Sequence, residues 1–330
     1  MDNLLNSGIQ FIQWLQSLGS WLTPIMKLFT FFGNEQFYLL VAPAILWCID
    51  STLGLRLGVF LMINGMLNTA LKVAFHGPRP YWDTSNIKVM SSAENSFGVP
   101  SGHAQNAVVV WGAIAEQIKH RWVWVIAILV MFMIGISRLY LGVHFPQDVL
   151  VGWLFGAIIL WGLQKLERPV VNWIKKFQPG IQLLITFLVS LLLILIVVIA
   201  QLSLGGYSLP LDWVNNAHLA FPEEPAINPL SFHNFLSSPG AFFGLAAGWI
   251  WISGLGGFTT RDDWWKLVLR YLVGLVGVLV IYLGLGQIFN DSETFISYTL
   301  RYIRYALIGF WISGFAPWMF VKLRLANQLN

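Results

Sequence analysis

Residues 177–211 of this 330-residue chain contain no charged side chain, and 181–200 within them read IQLLITFLVSLLLILIVVIA. About 20 consecutive apolar residues make a helix long enough to cross the hydrocarbon core of a bilayer. Eight further uncharged stretches lie at 36–49, 57–71, 104–115, 122–137, 149–164, 238–260, 272–290 and 305–321. Together they predict about nine spanning helices. Hydrocarbon offers backbone N–H and C=O groups no partner outside the chain, and no strand-like alternation is present. The expected fold is therefore an all-α, polytopic transmembrane helix bundle in a lipid bilayer. Charged residues are 10% of the sequence, against about 25% in soluble domains, which excludes a soluble globular body. The lone Cys48 excludes an internal disulfide and any cysteine zinc site. The net charge of +4 is scattered, with no Lys/Arg run longer than two, so nucleic acid is not an expected partner.

The first basic residue is Lys27, so the positive n-region of a cleavable signal peptide is missing. Basic residues Arg56, Lys119, Arg121, Lys165, Arg168, Lys175, Lys176, Arg261, Lys266, Lys322 and Arg324 fall in alternate loops. The opposite loops 203–236 and 287–294 carry Asp212, Glu223, Glu224, Asp291 and Glu293 and no Lys or Arg. The positive-inside rule then places the first set in the cytoplasm, and the 77–100 and 142–146 loops outside. Three parts are expected: an interfacial N-terminal segment (1–34), a core of five spans (35–166) and a membrane extension of four more (167–330). No internal repeat is evident.

Three short stretches break the apolar rule, and all three fall on the outward side. Lys72-Val-Ala-Phe-His-Gly-Pro-Arg79-Pro80 ends the second span, and Pro100-Ser101-Gly102-His103 opens the third. Ser137-Arg138-Leu-Tyr-Leu-Gly-Val-His144-Phe-Pro-Gln-Asp148 turns the fourth span into the fifth. Singly, each has an ordinary explanation. Lys72 and Arg79 can snorkel to the interface, Pro-Ser-Gly can start a helix, and Asp148 can satisfy a loose amide in a first turn. Together they supply three cations, two imidazoles, a carboxylate and a helix N-terminus, which suits a tetrahedral anion. Arg79 and Arg138 offer planar forks to phosphate oxygens and Lys72 a point charge. Ser101 as N-cap would aim the Gly102 and His103 amides at the anion. Asp148 on one ring nitrogen of His144 would free the other to attack phosphorus. Three fixed cations disfavour a divalent ion, so no metal and no cofactor are expected.

These segments resemble the three-part signature KxxxxxxRP, PSGH, SRxxxxxHxxxD of the phosphatidic acid phosphatase type 2 (PAP2) superfamily, with every defining position matched across roughly 72–148. The superfamily takes in lipid phosphate phosphatases, undecaprenyl diphosphate phosphatases, glucose-6-phosphatase and vanadium haloperoxidases. The resemblance implies a PAP2-type helical core and metal-free phosphate hydrolysis. His144 would be the nucleophile, oriented by Asp148, with His103 as general acid and then base. Lys72, Arg79, Ser101, Gly102 and Arg138 would hold the phosphate oxygens.

A site at helix ends near the outer headgroups favours a lipid phosphate or isoprenoid diphosphate substrate. The alternative is a soluble phosphomonoester, since Phe75–Trp82 is similar to the matching stretch of glucose-6-phosphatase. Candidates for the substrate pocket are Tyr81 and Trp82, which also suit an interfacial aromatic belt. Arg301 and Arg304 share a helix face and are further candidates, with pairing to Asp291 and Glu293 the ordinary explanation. Asn34 and Glu35 either line the pocket or cap a helix, and His76 either touches substrate or is merely solvated. Loop 203–236 is a lid, a docking surface or a plain connector. A lipid transporter or non-catalytic binding protein is the remaining class. It is opposed by the clustering of charge at one face and by the intact His103, His144 and Asp148.

Overall fold

A computed structural model describes residues 2–288 and 293–329. The described chain is helical without a strand. In order, the helices are α1 (Asp2–Ser17), α2 (Thr23–Phe31), α3 (Glu35–Cys48), α4 (Ser51–Phe75), α5 (Pro80–Asp83), α6 (Gly102–Ile118), α7 (Arg121–Tyr140), α8 (Pro146–Ile174), α9 (Pro179–Leu202), α10 (Leu211–Ala220), α11 (Ser237–Gly254), α12 (Trp264–Ile288) and α13 (Phe295–Phe310). A π-helical turn, Trp311–Phe315, leads into α14 (Ala316–Lys322). Boundaries follow local chemistry. Proline occupies the first turn of α2, α5 and α14, where its missing N–H costs nothing. Thr294 caps α13 by accepting from Ser297 N.

The predicted all-α membrane architecture is present. Among the described residues, five segments are long and apolar enough to cross a bilayer: Ser51–Asp83, Arg121–Tyr140, Pro146–Ile174, Pro179–Leu202 and Trp264–Gln287. The other expected blocks are also helical: α3 has 14 residues, α6 has 17 and α11 has 18, and 305–321 lies within the unbroken run from α13 through the π-helical turn into α14. α3 is shorter than the ~20 residues a crossing needs, and the count of nine is not confirmed. The membrane character shows on the outside of the helices. Val125, Ile126, Ile128, Leu129 and Phe132 of α7 are exposed, as are Leu184, Leu188, Leu191, Leu192 and Leu195 of α9. Water would penalise such stripes, and lipid does not.

The chain divides into two compact units. The first comprises 1–37, 67–161 and 197–234, and the second 38–66, 162–196 and 235–330. In the first, Tyr81, Trp82, Phe97, Leu139, Tyr140 and Val149 form the core, with Tyr207, Trp213 and Phe221 packed on it. In the second, Trp47, Phe258, Val278, Ile312 and Phe320 do so. The second unit also buries Arg270 completely. Its guanidinium donates to the carbonyls of Leu325, Trp47, Thr259 and Thr260 and to the Asp262 carboxylate.

Candidate active site

All three signature segments lie in the first unit, and the backbone joins them. Ser101 N donates to Asp148 O at 2.9 Å, Gly98 N to Gly77 O at 2.9 Å and Met90 N to Leu141 O at 3.0 Å. The approach at Gly98 admits no side chain, since a Cβ there would sit 2.3 Å from Pro78 O and 3.1 Å from the Asp148 carboxylate. Behind the segments, buried Asn68 lies one helical turn before Lys72. Its amide donates to Pro100 O and to Gln105 Oε1, pinning the start of α6.

Lys72 ends α4 and donates to the carbonyls of Phe97 and Gly98. Arg79, fully buried, commits every arm of its fork. Nε reaches Ser96 O (2.7 Å), and one terminal nitrogen meets Val143 O (3.1 Å) and His144 Nε2 (3.3 Å). The other meets Ser96 Oγ (3.0 Å), Phe97 O (3.4 Å) and a Glu94 carboxylate oxygen (2.8 Å). Arg138 is equally buried. It donates to Thr30 Oγ1 at 2.5 Å and to the second oxygen of Glu94, while its Nε has no partner among the described residues. Two guanidiniums from distant parts of the sequence thus converge on one carboxylate, as they would on an oxyanion of similar size.

His144 and Asp148 meet as predicted. Pro146 is the first residue of α8, which puts Asp148 at its third position. From there its carboxylate reaches back to the Phe145 amide (2.9 Å) as an N3 acid does in a capping box. The same oxygen accepts from His144 Nδ1 at 3.2 Å. That bond fixes the tautomer and leaves the Nε2 lone pair facing Arg79. Burial, reinforced by Arg79, Lys72 and Arg138, holds the His144 pKa well below the usual imidazole range. Its ring is therefore neutral near neutral pH. His103 opens α6 and donates from Nε2 to Asn34 Oδ1 at 2.6 Å. Ser101 occupies the N-cap position but makes no side-chain cap bond, and its buried Oγ is unpartnered among the described residues.

Tyr81 and Trp82 are buried in the core, their rings edge to face. Tyr81 meets the site by its hydroxyl, which accepts from Glu94 N (3.1 Å) and donates to Glu94 O (3.2 Å). The 203–236 connector packs α10 onto α5, with Asn216 donating to Trp82 O and Asn228 N to Asn95 Oδ1. Tyr207 lies edge-on to His76, 5.0 Å between centroids. Arg301 and Arg304 belong to the second unit. Arg301 donates to Ser237 Oγ, and Arg304 to Tyr282 O with its guanidinium 4.5 Å over the Tyr282 ring. Of their two expected partners, Glu293 accepts from the Tyr298 hydroxyl, and Asp291 lies outside the described residues.

Glu94 and Thr30 escape a reading of the sequence. One is a lone acid in an irregular loop and the other a hydroxyl in a largely apolar helix, and neither sits in a periodic or motif context. Burial pushes the Glu94 carboxyl up, but Arg79 and Arg138 outweigh it and hold its pKa well below the usual carboxylate range. Because Arg79 has no uncommitted donor, an oxyanion can take its fork only by replacing one of these partners, of which Glu94 is the one that carries charge.

The chain is similar to known proteins over most of its length. The family model described as "PAP2 superfamily" matches residues 53–172, and "PAP2 superfamily phosphatase, transmembrane extension" matches 236–328. Glucose-6-phosphatase 3 of Bos taurus is 25% identical over 97% of this chain and 96% of its own. Sphingosine-1-phosphate phosphatase 1 of Rattus norvegicus is 26% identical over 90% and 72%. A crystal structure of a transmembrane PAP2-type phosphatidylglycerolphosphate phosphatase from Bacillus subtilis is 26% identical, with a TM-score of 0.44, covering 52% of this chain and 89% of that one.

Proposed function

The chain belongs to the PAP2 superfamily and is a membrane-integral phosphatase, and from that premise we propose that it hydrolyses lipid phosphate or isoprenoid diphosphate without a metal, through a phosphohistidine on His144. The observation that carries this reading is the convergence of Arg79 and Arg138 on one carboxylate, with His144 Nε2 at 3.3 Å from the same Arg79 fork. In the first step Nε2 forms a bond to phosphorus as the phosphorus–ester oxygen bond breaks, and the leaving oxygen takes a proton from His103. In the second, His103 takes a proton from water, the water oxygen bonds phosphorus, and the bond to Nε2 breaks to release inorganic phosphate. Lys72, Arg79, Arg138, Ser101 Oγ and the Gly102 amide hold the oxygens as charge builds on them. Asp148 carries the developing positive charge on His144. The three-part division at 34 and 166 is proposed with it, the last part serving as a membrane extension.

The test is phosphate release by the purified protein in EDTA, with phosphatidate, farnesyl diphosphate and glucose 6-phosphate as substrates. Release from the lipids that His144→Ala abolishes is the expected result. Loss of release in EDTA, or full turnover in His144→Ala, would refute the mechanism. The near full-length match to glucose-6-phosphatase 3 supports a second reading, a soluble sugar phosphate, and preference for glucose 6-phosphate would select it. The site is proposed to face the non-cytoplasmic side. In a Cys48→Ser background, an impermeant thiol reagent applied to intact cells is then expected to label Ser92→Cys and not Asn172→Cys. The reverse pattern would invert the topology.

A further inference from the structure

One flank of the site is closed by aromatic packing, with Tyr81 and Trp82 buried and α10 laid over α5. The other flank opens into a groove of about 580 Å³ whose walls are α2, the 88–92 strip and the end of α7. Two groove residues touch the proposed machinery directly: Thr30 accepts from Arg138 at 2.5 Å, and Asn34 accepts from His103 at 2.6 Å. Resting on the proposed function, His103 protonates the leaving oxygen, so the leaving group lies on the His103 side and enters this groove.

The groove sets two cations among mixed walls, where Asn34, Ser91 and Ser92 lie with the apolar Phe31, Met90 and Leu141. Lys27 sits one helical turn before Thr30, on the same face of α2, and Lys88 stands on the facing strip. Both are exposed. Their backbones are braced: Gln16 Nε2 ties Lys88 O (2.8 Å) to Tyr140 O (2.9 Å), and Thr23 Oγ1 meets the Tyr140 hydroxyl at 3.1 Å. Gly142, at φ +76°, lets the chain pass under Lys88, where a Cβ would come within 2.7 Å of Lys88 O. Two lysines on braced walls, beside the atom that leaves, would meet an acyl or prenyl tail with unfavourable desolvation. They would meet a second anion with favourable charge pairing. We propose that this groove is a leaving-group subsite in which Lys27 and Lys88 read a second anionic group carried next to the scissile phosphate, as in a diphosphate ester.

The experiment compares farnesyl diphosphate with farnesyl monophosphate, which share a tail and differ in that second anion, on wild type, Lys27→Gln, Lys88→Gln and the double variant. Each single change is expected to raise KM for the diphosphate about threefold, the size of an exposed ion pair, and the double about tenfold. Turnover number and the monophosphate KM should stay within about twofold. ADP, a soluble diphosphate ester, run alongside tells a soluble carrier of the second anion from a lipid one, since the same lysine dependence would then appear on it. Equal effects on both farnesyl substrates, or on neither, would overturn the subsite while leaving the phosphatase chemistry intact. No release from either substrate by wild type would instead remove the chemistry on which the subsite rests.

Discussion

Glu94→Gln is the most informative single change, because Glu94 holds the two guanidiniums that a phosphate would need. Its carboxylate lies 2.8 Å from Arg79 and in direct contact with Arg138. At about 4 Å between charge centres, each pairing carries roughly 4 kcal/mol of attraction at an effective dielectric constant near 20. Desolvation offsets most of that, and hydrogen bonds to charged groups retain about 1.5–3 kcal/mol net. An incoming oxyanion must replace at least one such contact, which weakens its binding by the same amount. At 1.4 kcal/mol per factor of ten, Glu94→Gln should bind orthovanadate about 10- to 100-fold more tightly, read as the inhibition constant for phosphate release. The neutral amide keeps the backbone bonds to the Tyr81 hydroxyl, so the loop is not expected to move. Glu94→Asp separates displacement from simple loss of charge. It keeps the charge but shortens the reach, and should also tighten vanadate. Unchanged or weaker vanadate binding in both variants would show that Glu94 stays in place and positions the arginines, and the competition argument would fail.

Acidity and burial yield two further outcomes. His144 is held below the usual imidazole value, so it stays neutral until pH falls through that lower value. The acid limb of kcat/KM that His144 controls should therefore lie below about 6.5, the free imidazole pKa, and a His144-dependent limb at or above that value would contradict the buried, cation-flanked geometry. In the second unit, Arg270→Met removes a buried guanidinium and leaves the Asp262 carboxylate and four carbonyls short of their donor. It should cost about 3–5 kcal/mol, visible as a lower thermal midpoint of the detergent-solubilised protein, and an unchanged midpoint would mean that Arg270 is incidental.

Residues that carry chemistry by type and spacing were legible before any fold was known. The His144–Asp148 bond follows from the HxxxD spacing across a helix start marked by Pro146, and Arg79 and Arg138 announce themselves as charges where lipid-compatible sequence is expected. Span number was less legible, because an uncharged stretch bounds a helix only loosely. α3 and α6 end after 14 and 17 residues, although the blocks they contain are apolar. Tyr81 shows a different limit. Its ring belongs to the core and its hydroxyl to the Glu94 backbone, a division of labour that composition cannot reveal. Asn34 was visible as a polar residue at the start of a span, but only its 2.6 Å bond to His103 separates a pocket residue from a helix cap.

The burial of three cations at one place needs its own physical account, since an uncompensated charge at low dielectric costs several kcal/mol. Backbone oxygens supply most of the compensation. Ser96, Phe97 and Gly98 turn their carbonyls to Lys72 and Arg79, and Val143 adds another. Carbonyl dipoles lower the cost of each cation without neutralising it, so the net positive field survives for a phosphate to use. Glu94 adds a carboxylate paired directly with both arginines, held in a loop tied down by Tyr81 and Asn228. A fully dipolar cradle would leave the unliganded site strained by like-charge repulsion, and a fully acidic one would repel phosphate. One carboxylate shared by two arginines sits between these extremes, stabilising the cluster when unliganded and exchangeable for a substrate oxygen.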